Sequence, residues 1–168
     1  IVHVIPTDGY VNNRRSSFPF GETNSPTYTS NKGFSKVGPS CTEGYSGTVF
    51  EPNDEYKGDI ARIYFYMATC YEDRIGSWTK GTANTVIKML LRWAKEDPVS
   101  QKEIDRNNAV YKCQKNRNPY VDYPGLEQYV WGDKMNVAFS YDNYGSVDPT
   151  PNPDPTPDPN PDPTPDPN

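Results

Sequence analysis

The residue types best suited to chemistry crowd into the first sixteen positions. His3, the only histidine of the 168-residue chain, is followed by Asn12 and Asn13, Arg14 and Arg15, and Ser16. If the run after Gly9 winds as a helical turn capped by Thr7 or Asp8, Asn12, Arg15 and Ser16 share one face at spacings of three and four residues. A neutral amide oxygen beside a guanidinium on such a face suits a divalent cation and a phosphate oxygen. The bland alternative is a surface loop rich in turn formers. With a single histidine, a Ser-His-Asp or Cys-His site would have to use His3, and the sequence holds no GxSxG, no HExxH and no phosphate-cradling glycine loop. Cys41, Cys70 and Cys113 form no zinc spacing. Cys70 falls near an apolar stripe as a candidate buried thiol, and Cys41 with Cys113 is a candidate pair in an oxidising compartment.

The elements that must position these residues are short. Val2, Val4 and Ile5 favour an extended backbone that Pro6 and Gly9 interrupt. Residues 23–49, rich in Gly, Ser, Thr and Asn, read as loop with at most a short hairpin. A helix is expected from Asp54, with Ile60, Tyr64, Met67, Ala68 and Tyr71 on its inner stripe. A second is expected near Thr85–Lys95, burying Val86, Leu90, Trp93 and Ala94 and ended by Pro98. A third opens at Val99 or Ser100. It carries Asn107 and Asn108 on the side of Ile104 and Tyr111, where two poor helix formers facing inward need hydrogen-bond partners.

Composition bounds the function classes. The formal charge is −5, but five aspartates lie in 148–168, a stretch without lysine or arginine, and residues 1–147 balance at seventeen of each sign. Neutrality of the body neither argues for a polyanionic partner nor against one. Local basic patches occur at Arg14 and Arg15 and along Arg106, Lys112, Lys115 and Arg117. No apolar run approaches the roughly 20 residues of a membrane span. Thirteen tyrosines against six phenylalanines give a polar, aromatic-rich body of the kind secreted bacterial proteins have. The chain begins at Ile1 without methionine or a signal peptide, which predicts a processed or cut polypeptide. From Asp148, DPTPNPDPTPDPNPDPTPDPN places proline at every second position, which excludes helix and ladder. An extended spacer of this kind reaches roughly 65 Å at about 3.1 Å per residue. The expected organisation is a domain over 1–147 and an extended, disordered linker over 148–168, leading to a further C-terminal segment.

Three separated segments resemble the bacterial endonuclease I family of secreted or periplasmic nucleases. IVHVIPTDGYVNNRRS is similar to the family's DLHHL-P-x-x-G-x-VN-x-x-RS stretch, and FEPNDEYKGDIARIYFYM looks like the run into its central helix. LLRWAKEDPVSQKEIDRNNAVYKCQKNRNPYVDYP matches its W-x-x-x-x-PV…E-x-x-RN…Q-G-N-x-NP-[FY]-[VI] ending. The resemblance covers most of Ile1–Gly132. It implies an α+β fold, mainly helical, with a ββα-metal (His-Me finger) active site, and a non-specific, Mg2+-dependent endonuclease acting on DNA or RNA. Mg2+ or another divalent cation would be the cofactor and nucleic-acid backbone the partner, with little sequence preference. The protein would be a secreted, periplasmic or cell-surface monomer.

Carried across residue by residue, Asn12 matches the magnesium ligand, and Arg15 and Ser16 match the RS that follows it. Arg15 is then the phosphate-stabilising residue, with Arg14, Ser16, Arg62, Asn107, Lys115 and Arg117 as substrate-binding candidates. The family's general base lies in an earlier Glu-His motif. His3 matches the second position of the later HH pair. Val2 stands where the metal-binding glutamate of a Glu-His reading would be, and nine residues to Asn12 leave no room for a hairpin. The base is therefore expected upstream of Ile1, and this chain alone is expected to be inactive or nearly so. Lys115 replaces the glycine of Q-G-N, either as an added phosphate contact or as a loosened turn. Two other readings remain: a catalytically inactive, nuclease-like polyanion-binding module, and a secreted glycan-binding module.

Overall fold

The computed structural model describes residues 2–42, 45–71 and 83–142. The Pro/Asp-rich stretch 148–168 and the expected domain end at 147 lie outside the described residues. Helices α1 (Gly9–Arg15), α2 (Lys57–Cys70), α3 (Ala83–Glu96), α4 (Gln101–Gln114), α5 (Pro119–Asp122) and α6 (Leu126–Val130) accompany strands β1 (Tyr28–Thr29), β2 (Lys36–Pro39) and β3 (Thr48–Glu51). The class is α+β and mainly helical, as expected.

Local chemistry sets each boundary. Asp8 caps α1, its Oδ1 accepting from the Tyr10 and Val11 amides at 2.9 and 3.0 Å. Arg14 and Arg15 sit in the last turn, where the helix dipole favours cations. Ser16 leaves the helix at φ 50°, so it does not share the face of Asn12 and Arg15. A 3-10 turn at Asp54–Tyr56 leads into α2. Helix α3 stops at Glu96, before Pro98. Ser100 and Glu103 form a reciprocal capping box that starts α4. Asn118 caps α5, with Pro119 at its first position.

The core is the seam of α2 against α3, closed by Tyr120 of α5 and by Val2. It contains Ile60, Ala61, Phe65, Tyr66, Met89, Leu90, Trp93 and Ala94. The inner stripe of α2 is rotated from the expected one: Ile60 and Ala68 are buried, whereas Tyr64 and Met67 are only half-buried and Tyr71 is exposed. The expected hairpin in 23–49 is a three-stranded antiparallel sheet, β1-β2-β3, with Tyr28 opposite Val37 and Val37 opposite Phe50. Phe20 adds a parallel bridge to Phe50.

A polar network ties the helices together. Arg62, 1 % exposed, donates Nε and Nη2 to the two Glu103 oxygens at 2.7 Å each and Nη1 to the Asp97 carbonyl at 2.9 Å. Asp59 lies 3.5 Å from the same guanidinium. The Asn118 amide donates to the Arg62 carbonyl, and Asn107 brackets the Asn118 backbone, donating to its carbonyl and accepting from its N–H. Asn107 thus faces inward as expected, but Asn108 is exposed and accepts from Arg117 instead. At the start of α2, the Gly58 amide donates to Asp97 at 2.8 Å. A Cβ on Gly58 would fall 2.0 Å from the Asp97 carbonyl oxygen, so only glycine fits. The three cysteines are exposed and free, which corrects the buried-thiol reading of Cys70 and leaves Cys41 and Cys113 unbridged.

Candidate active site

Helix α1 contributes no buried residue to the core. Its inner side instead walls a cavity of about 1310 Å³, closed by the extended segment His3–Thr7, by Tyr28–Asn31 and Phe34 of the β1–β2 hairpin, and by Tyr56, Ile60, Ile63, Tyr64 and Met67 of the α2 region. His3, Asn12 and Arg15 all line it. The extended segment is held from the far side: Val2 is buried, and Arg106 donates to the carbonyls of Val2 and Val4. The basic character of Arg106 is thus spent on backbone rather than offered as surface charge.

Within the cavity Arg15 is only partly committed. Its guanidinium lies over the Phe20 ring, 4.4 Å from the centroid, and it interacts with the Tyr64 hydroxyl. Burial raises the Tyr64 phenol above its ordinary range, and the Arg15 charge and hydrogen bond pull it back in part. Arg15 Nε is buried with no hydrogen-bond partner. A buried donor without an acceptor is unfavourable by about 1–3 kcal/mol, a penalty that an anionic oxygen entering the cavity would relieve. Beside it, Arg14 is engaged with Tyr10, donating Nε and Nη2 to the hydroxyl at 3.2 and 2.8 Å.

The donor set for a cation is open. Asn12 presents an exposed amide to the cavity, and Asp8 follows one turn earlier with Oδ1 used in capping. Among the described residues no group of three or more His, Cys, Asp or Glu gathers as a metal cage. An amide oxygen suits Mg2+ as one ligand among several. The described residues therefore fit one corner of a magnesium site, without closing it.

None of the six expected substrate contacts, Arg14 included, lines this cavity. Arg62 and Asn107 are buried and saturated by the network above, so neither is available to a substrate. Arg117 is pinned by two bonds to Asp122, at 2.8 and 2.6 Å, and by Asn108. Lys115 is the C-cap of α4, at φ 59°. That left-handed conformation is the one glycine adopts without strain, which accounts for the glycine of Q-G-N at this position. Its exposed side chain does not line the cavity, nor does Ser16. Tyr64, Tyr28 and Phe34 also line the cavity, a position no local sequence pattern signals. Tyr64 was hidden by its helical spacing, which reads as core, and the other two by a loop-like composition.

Helix α1 thus presents an amide and a half-satisfied arginine to an open cavity braced by a small sheet and a helical body. The chain belongs to the endonuclease I family, whose model matches residues 1–125. It is similar to an extracellular ribonuclease of Bacillus amyloliquefaciens, 36 % identical over 145 residues, covering 78 % of this chain and 46 % of the relative. An endonuclease-1 of Buchnera aphidicola is 34 % identical over 116 residues, covering 69 % of this chain and 43 % of the relative. An extracellular deoxyribonuclease of Aeromonas hydrophila is 27 % identical over 120 residues, covering 71 % and 47 %. The chain thus spans about half the length of the curated relatives it matches. No helix of the described residues is long and apolar enough to cross a membrane.

Proposed function

We propose that the protein is a secreted or periplasmic endonuclease that hydrolyses phosphodiester bonds of DNA or RNA with little sequence preference. The observation that carries this reading is the buried, unpartnered Arg15 Nε in the cavity that Asn12 also lines. Arg15 would donate to a phosphate oxygen, offsetting the charge that grows on it as the bond breaks. The Asn12 amide oxygen would hold one side of a Mg2+ ion. When bound, that ion supplies charge stabilisation to the phosphate and to the departing 3′ oxygen. Names of relatives as ribonuclease and deoxyribonuclease support a nuclease without choosing the sugar. Backbone recognition of this kind makes activity steeply salt-dependent.

The resemblance puts the family's general base upstream of Ile1. A second reading, favoured by the presence of His3 in the same cavity, makes His3 the base. A plasmid-nicking assay with Mg2+ on this chain, on a version extended upstream and on Asn12→Ala decides between them. Activity confined to the extended protein and lost in Asn12→Ala supports the first reading. Activity of the short chain that disappears in His3→Ala supports the second. Absence of cleavage in both lengths, with metal-independent binding of nucleic acid, would leave a polyanion-binding module.

A further inference from the structure

Part of the cavity wall is aromatic, and phosphate chemistry gives it no task. Phe34 is 51 % exposed and Tyr10 57 % exposed, although large rings usually bury most of their surface. Both line the cavity, together with Tyr28. Tyr10 and Tyr28 meet edge to face, with centroids 6.2 Å apart and planes at 65°. Arg14 braces the pair, its guanidinium carbon 5.1 Å from each ring centroid, and two donors on the Tyr10 hydroxyl fix that ring's rotation. Phe34 follows a tight turn in which Lys32 and Gly33 both take positive φ, 68° and 78°. Phe34 therefore stands beside that turn with half of its surface open. Braced, exposed rings beside cationic groups match the platforms on which unpaired bases stack, since every base offers a π face.

We propose that this ledge stacks an unpaired base of a strand whose phosphate lies at Arg15, so that the substrate class is single-stranded nucleic acid, DNA or RNA, in preference to duplex. The inference rests on the nuclease reading above and adds a specificity element to it. In a duplex the base faces are already stacked on one another, so the ledge finds only backbone. Phe34 supplies the open face. Tyr28 and Tyr10 form the flank, and Arg14 is a positioning residue acting through them.

The test is fluorescence anisotropy with a fluorescein-labelled oligodeoxynucleotide in EDTA, which reads binding without turnover. The same sequence is offered as a single strand, as a hairpin duplex and as a strand with abasic positions. The unaltered chain binds the single strand more tightly than the other two. Phe34→Leu, which keeps apolar bulk and removes the π face, weakens single-strand binding by about tenfold and leaves duplex and abasic binding unchanged. Phe34→Trp restores it. Because Phe34 is exposed, these variants fold, which circular dichroism verifies. Equal losses on all three probes, or no loss on any, would overturn the ledge while leaving the nuclease reading intact. If the unaltered chain binds none of the probes, the ledge falls, and the Mg2+-dependent nicking assay decides the nuclease reading separately.

Discussion

Arg62 and Arg15 are the same side chain in opposite conditions. Arg62 is buried, with three nitrogens satisfied by Glu103 and the Asp97 carbonyl, and it locks α2 to the α3–α4 corner. Arg15 lies at the wall of an open cavity with a buried nitrogen unanswered. Charge and burial alone would rate Arg62 the more notable of the two. What separates structure from function is the completeness of the hydrogen bonding. A saturated arginine has nothing left for a ligand, and an incomplete one has a reason to bind one.

Removing one partner of the saturated arginine should have the largest effect. Arg62→Met leaves Glu103 buried without its partner, so stability should drop by about 3–5 kcal/mol, read as a shift of the urea midpoint. Any loss of activity should track unfolding and vanish at low temperature. Arg15→Ala reverses that pattern. In whichever length cleaves DNA in the nicking assay, its kcat should fall about 10²–10³-fold with the thermal midpoint nearly unchanged. A large loss of stability in Arg15→Ala, with binding preserved, would erase the contrast between the two residues.

Asp59 sharpens the comparison from the saturated side. Burial first, and the charge of Glu103 second, push its carboxyl up to about 7 from an ordinary value of 3.8. Between those values the folded chain keeps a proton that the unfolded chain has released. This group therefore makes stability fall as pH rises from about 4 to about 7, after which its contribution is level. Asp59→Asn should remove that fall, so that the variant matches the parent near pH 4 and exceeds it near pH 7 in denaturation midpoint. The smallest effect is expected outside both regions. Lys115→Gly relieves the left-handed C-cap of α4 and should stabilise by at most about 1 kcal/mol, without changing nucleic-acid affinity.

The helical body was legible wherever one residue type carries one local job. Pro98 ends α3, and Ser100 opens α4 one residue before its first turn, with Glu103 at the third helical position. Asp8 is a cap because its carboxylate reaches the amides two and three positions on. The sheet was not legible, because strands of two and four residues depend on pairing partners that no local pattern names, such as Val37 with Phe50. Arg62 looked like a substrate contact because its partner, Glu103, lies 41 residues away and no spacing rule connects them. That Asn12 and Arg15 share one side of α1, the side that lines the cavity, follows from helical spacing. That Tyr64 lines it does not, since an aromatic at helical spacing looks the same whether it faces a core or a cavity.

The anchoring of the first residues has a practical consequence. Val2 is a core residue, Arg106 grips the carbonyls on either side of His3, and the next few positions form the cavity rim. Any polypeptide or label joined ahead of Val2 is therefore delivered to the edge of the binding space, not to a remote corner of the molecule. An environment-sensitive dye carried at position 3 would be a built-in reporter of occupancy. A bulky affinity tag fused directly ahead of Val2 would act as a plug.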